Sequence, residues 1–85
     1  MRKGYLMVWR FCMWTDEAIA HIAEHGVSQA DFEHVIANPL VSTASRSSGL
    51  PAAIGHAPDG RRLFCVYEVI DEMYIQPVTA YEIGE

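Results

Sequence analysis

The sequence predicts a single α+β domain over residues 1–85: a strand, two short helices, then a three- to four-stranded antiparallel sheet. Three observations predict it. Apolar residues alternate with period two over 5–13. They recur at helical spacing between cap signals over 15–38. From residue 40 onward they return as short strand-like runs separated by polar turns.

Tyr5, Met7, Trp9, Phe11 and Met13 share one face at strand period while Arg10 interrupts the other, which reads as a half-buried strand. Thr15 then caps a helix whose first turn carries Asp16 and Glu17, where the helix dipole favours acids. Ala18, Ile19, Ile22 and Ala23 form its narrow apolar stripe, and Gly26, just past His25, suits a left-handed terminator. Val27 is placed as the staple before a second helix. Ser28 caps that helix, Asp31 three residues on resembles a capping box, and Phe32, Val35 and Ile36 face the core. Asn38-Pro39 ends it, because a residue before proline avoids helical geometry.

The remainder reads as strands. A short strand over 40–45 leads into the polar loop Ser45-Arg46-Ser47-Ser48-Gly49. A small-residue or bulged strand covers 51–57, and Ala57-Pro58-Asp59-Gly60 is a turn in which proline presets φ and Asp-Gly supplies the local hydrogen bond and positive φ. Residues 61–70 are apolar on both faces, as a central strand is. Asp71-Glu72 turns the chain into 73–82, where Pro77 requires an edge or a bulge.

Composition narrows the function classes. Half the residues are apolar (51%) and a fifth charged (20%), the balance of an ordinary globular chain. The formal charge of −5 argues against strong general affinity for nucleic acid, which rests on neutralising phosphates, while leaving room for a local basic patch. Cys12 and Cys65 lie in apolar runs and are expected buried and reduced, with a meeting across neighbouring strands left open. Met1-Arg-Lys before an apolar run superficially resembles a signal peptide, but Arg10 interrupts the run and no small-residue cleavage site follows. No stretch approaches the ~20 apolar residues of a membrane span. The expectation is a cytoplasmic protein with no membrane partner.

Several residues carry candidate chemistry. His56, near the Arg61 turn, has the chemistry of an acid or base in RNA cleavage, against the alternative of a structural histidine. Arg61 and Arg62 read either as a solvated strand start, pairing with Asp59, or as phosphate contacts at a sheet-lined groove. Arg46 and Ser47 lie in a loop whose hydroxyls, amides and guanidinium suit an anion, although such loops are common without function. His21 and His25, four apart with Glu24 beside them, have the spacing of two metal ligands. There is no HExxH motif and a third ligand would have to come from elsewhere; the alternative is that His25 is a helix C-terminal residue favoured by the dipole and His21 a surface or groove residue, so the expectation is no metal and no cofactor. Trp9, Phe11, Phe32 and Phe64 are expected in the core, and Tyr67, Tyr74 and Tyr81 either stack bases on an open sheet face or sit half-buried. Glu68 and Glu82 alternate with buried-looking neighbours, so an inward carboxylate needs an arginine partner.

Trp14-Thr-Asp-Glu, His25-Gly26-Val27-Ser28, Asn38-Pro39, Gly60-Arg61-Arg62-Leu63 and Val78-Thr79-Ala80-Tyr81-Glu82, in that order, resemble the BrnT family of toxins from bacterial type II toxin–antitoxin modules. The resemblance spans Trp14 to Glu82. It implies a RelE-like fold, an active site on the open face of the sheet, metal-independent endoribonuclease activity and a DNA-binding antitoxin partner. It also implies that Arg61 inherits the arginine of the family's Gly-Arg-x-Leu strand. The last strand departs from the pattern. Where typical members read Ile-Ser-Ala-Arg before a charged tail, Tyr81 stands in place of the arginine and the tail is missing. A cation that would stabilise charge on phosphorus is therefore absent from that strand. The expected site is His56, Arg61 and Tyr81 as catalytic groups, with Arg46, Ser47 and Arg62 holding the substrate. The alternative is a non-catalytic module on the same scaffold that binds a protein partner, or a second copy of itself, through the sheet edge or helix pair.

Overall fold

A computed structural model describes residues 11–84. The chain runs β1 (Phe11–Cys12), α1 (Asp16–Ala23), α2 (Gln29–Ala37), β2 (Val41–Ala44), β3 (Pro51–His56), β4 (Arg62–Val69) and β5 (Tyr74–Glu82). The strands form one five-stranded sheet in the order β1-β5-β4-β3-β2. The α+β architecture holds, with β1 added in parallel at the β5 edge and every other pairing antiparallel. Of the strand expected at 5–13, residues 5–10 lie outside the described residues, Trp9 among them.

Local chemistry explains the helices. The Thr15 hydroxyl accepts from the Ala18 N–H at 3.0 Å, satisfying one orphan donor of α1. Gly26, at φ +75°, supplies the left-handed residue that ends this turn, and its N–H donates to the Ala23 carbonyl. Ser28 and Asp31 form a complete capping box: the Asp31 N–H donates to Ser28 Oγ at 3.0 Å and the Ser28 N–H to Asp31 Oδ2 at 3.1 Å. Both helices lie on one face of the sheet. Ile22, Val27, Phe32 and Val35 pack there on Ala53, Ala57, Leu63, Cys65, Ile75 and Ala80 to make the core. β4, the apolar run, is the central strand. Pro77 sits at a bulge: Val66 pairs with Thr79 and Tyr67 with Pro77, leaving Val78 as the extra residue.

Alternation along the strands sets the opposite face. Because Ala53, Leu63, Cys65, Ile75 and Ala80 face the helices, Ile54, His56, Arg62, Phe64, Thr79 and Tyr81 face away. The middle of this second face, at Ala52 and Val66, is closed to solvent, while its ends remain open.

The face of β1 is the reverse of the one the alternation suggested. Phe11 and Met13 are exposed, whereas Cys12 and Trp14 pack against the core. Trp14 meets Phe32 edge-on at 5.3 Å, and its indole N–H donates to Glu33 Oε2 at 2.8 Å. That contact turns the intervening residues inward and the large apolar ones out. Of the described aromatics expected in the core, Phe32 is there, Phe11 is exposed, and Phe64 is half-buried on the second face. Cys12 and Cys65 are free thiols on β1 and β4, strands separated by β5, so they do not meet across neighbouring strands. Glu68 and Glu82 are exposed, and neither forms an ion pair among the described residues.

Candidate functional site

The strand register brings part of the expected site together on the second face. His56 on β3 is the direct cross-strand partner of Arg62 on β4, and the Ile83 N–H donates to the Arg62 carbonyl at 2.9 Å, extending that row onto the end of the third strand. The next row reads Ile54, Phe64, Tyr81. Phe64 and Tyr81 stack with ring centroids 5.4 Å apart and planes 23° apart. From strand spacing and rise, the Arg62 and Tyr81 backbones stand roughly 8 Å apart.

Two contacts from the helices hold this end of the face. The His34 Nδ1–H donates to the His56 carbonyl at 3.0 Å, tying α2 to the last residue of β3. His25, past the end of α1, meets the Tyr81 ring edge-on with centroids 6.2 Å apart, and His21 meets His25 in the same manner at 5.5 Å. His21, His25, Tyr81 and Phe64 thus form a continuous run of rings from α1 onto the sheet. Among the described residues no group of three or more His, Cys, Asp or Glu side chains is placed to hold a metal ion.

The charge balance at the site differs from that of the chain. The strand residues of this face carry one carboxylate, Glu68, six residues along β4 from Arg62 and roughly 20 Å away. At the His56–Arg62 end, the strand residues of this face therefore set no carboxylate beside the guanidinium, while Asp59 and Glu82 lie at the same end of the sheet on its other side.

Arg61, expected beside His56, points the other way. Its Nη2 lies 2.8 Å from Asp31 Oδ2, its Nη1 donates to the Gly26 carbonyl at 2.7 Å, and its Nε pairs with Asp59 Oδ2 at 2.7 Å. The guanidinium thus clamps the α1–α2 junction to the turn before β4. The Asp59 hydrogen bond, followed by that of Asp31, strengthens its hold on its proton. Burial alone would raise the Asp31 carboxyl. The Ser28 backbone and Arg61 hydrogen bonds outweigh it and hold that carboxyl below 3.8.

Arg46 and Ser47 are also remote. They lie in the β2–β3 loop, at the Pro51 end of β3, while His56 ends that strand about 17 Å away. The loop's hydroxyls are used internally: Ser45 Oγ and Ser47 Oγ lie 3.3 Å apart, and Ser48 Oγ accepts from the Leu50 N–H. Tyr67 packs against the core, and Tyr74 lies exposed against Phe11 with centroids 5.8 Å apart, at the far end of the face from His56. Phe64, His25 and His21 are members of the ring array that the sequence reading did not place in this site. A signal was present for Phe64, since alternation in β4 sets it opposite Leu63 and Cys65.

No family model, no curated protein and no solved structure matches this chain.

Proposed function

We propose that this chain is a BrnT-like toxin-family protein whose open sheet face binds single-stranded RNA and cleaves it without a metal. The observation that carries this reading is the His56–Arg62 cross-strand pair lying beside the stacked Phe64 and Tyr81 at one end of the second face. Stacked rings on a sheet receive unpaired bases, and a guanidinium one strand away receives the phosphate. In the proposed reaction His56 removes the proton of a 2′-hydroxyl, whose oxygen attacks the adjacent phosphorus. A 2′,3′-cyclic phosphate forms, and the departing 5′-oxygen takes a proton, with Tyr81 at the base-stacking side as the auxiliary donor. Arg62 stabilises the charge that builds on phosphorus, and Arg61 serves the scaffold.

The test is cleavage of a single-stranded RNA by the purified protein in chelator, beside His56→Ala and Arg62→Ala. Each variant is expected to lose at least about a hundredfold in rate while keeping its circular dichroism spectrum. A folded wild type that neither binds nor cleaves RNA would sink the reading.

A second reading, a non-catalytic module that seats a protein partner of the antitoxin kind on this face, is favoured by the exposure of Phe11, Met13, Tyr74, Val78 and Tyr81. It expects a stoichiometric complex on co-purification and no RNA turnover.

A further inference from the structure

The two edges of the sheet are treated differently. At one edge β5 is flanked by β1 along Tyr74–Ile75 and by α1 beyond it. At the other, among the described residues β2 pairs with β3 alone, all four of its residues are exposed, and Val41-Ser42-Thr43-Ala44 contains neither a charge nor a proline. Native edge strands block further pairing by being short or by carrying a lysine, a proline or a bulge. β2 is short, and Leu40 and Val41 both meet Ile54 at its start, but Ser42–Ala44 carry no lysine, proline or bulge.

The register identifies the free groups. The Ser45 N–H donates to the Leu50 carbonyl at 2.7 Å, so by alternation the backbones of Val41, Thr43 and Ser45 face β3, and those of Ser42 and Ala44 face outward. The Leu40 N–H is taken by the Ile54 carbonyl. We infer that β2 is the docking edge for a second copy of this chain, paired antiparallel about a two-fold axis through Thr43. In that register Ser42 of one copy opposes Ala44 of the other, and their four outward N–H and C=O pairs close into four hydrogen bonds.

A second copy is the occupant for two reasons. The edge is self-complementary in this register, and no like charges meet: Arg46, the nearest charge in sequence, falls opposite Leu40 of the second copy. The exposed Leu40 (59%) and Val41 (46%) also lie at the junction and gain cover. Two such four-residue edges make an interface smaller than most stable dimers bury, so association is expected to be weak. A two-fold axis normal to the sheet would set both His56–Arg62 faces on the same side of a ten-stranded sheet. The proposal does not depend on RNA.

The test is sedimentation of the isolated protein, without RNA, from roughly 1 to 500 µM. The expected result is a rise from the mass of one 9.5 kDa chain towards two. Thr43→Lys and Thr43→Glu, each placing like charges opposite one another at the axis, are expected to remain monomeric alone and to pair when mixed. Ser42→Pro, which removes an outward N–H and leaves the β3 ladder intact, is expected to weaken association at least about tenfold. A wild type monomeric throughout, a dimer that survives Ser42→Pro, or charge variants that fail to pair when mixed would each overturn the proposal.

Discussion

Arg61 and Arg62 are neighbours in the chain and lie on opposite sides of the sheet, so one substitution at each separates scaffold from site. Arg61 makes three contacts, to Asp31, Asp59 and the Gly26 carbonyl, and is partly exposed (27%). Arg61→Ala is expected to cost about 1–2 kcal/mol in chemical denaturation, a value held down by solvent screening. Arg62→Ala is expected to leave the denaturation midpoint nearly unchanged while removing RNA binding. The same clamp sets an acid limit. The Asp31 carboxyl is lowered in the folded state, so its contribution is fully present above its unfolded value of 3.8 and is lost as pH falls through the lower folded value. Asp31→Asn is expected to flatten that acid limb in urea titrations. The thiols behave oppositely. Burial, then the Glu33 charge, pushes Cys12 up to about 11; burial, then Cys12 and Asp31, pushes Cys65 up to about 12. Stability from this source is present below the unfolded thiol value of 9.0 and is lost as pH rises through those folded values. Both thiols are expected to resist a disulfide reagent near pH 8 in the folded protein and to react at once in denaturant.

At the scale of elements, α2 is the most exacting piece. Its start rests on the Ser28–Asp31 box, and Ser28→Ala is expected to cost about 1 kcal/mol. Its inner face rests on Phe32, which is wholly buried. Phe32→Ala is expected to cost about 3–5 kcal/mol, close to the whole stability of a domain this size, so the variant should bind a hydrophobic dye at room temperature. Its far end lies against β3. A Cβ at Gly55 would stand 3.1 Å from Val35 Cγ1 and 3.2 Å from the Asn38 carbonyl oxygen. Because the second of these is backbone, Gly55→Ala must shift the Asn38 end of α2 by a few tenths of an ångström. A loss of about 1–3 kcal/mol is expected, read as a lower melting temperature. Displacing α2 also loosens the His34–His56 contact, so RNA affinity should fall with it.

At the scale of the molecule, a chain of net charge −5 gathers His56 and Arg62 at one end of one face, while the carboxylate of Glu68 lies at the other end of β4. RNA binding is expected to weaken with salt by the slope of only one or two neutralised phosphates, measured as log affinity against log salt concentration. Caps, turns and the two periodicities could be read along the chain because each is a short-range effect: Thr15, Gly26, Ser28, Asn38, the turn ending at Gly60 and the bulge-seeking Pro77 all act within a few residues of themselves. The α+β order and the central place of β4 follow from those signals and from the two-sided apolar run at 62–69. Pairing register and face are long-range and could not be read that way. One strand's alternation is symmetric with respect to inside and outside, so β1 turned over once Trp14 found Phe32. Adjacent arginines parted because helix caps from residues 26–31 offered a carboxylate and a carbonyl to only one of them. Arg46 stayed apart from His56 by the length of β3. The composition of the site was legible in the residue types; its membership was decided by which strands lie side by side.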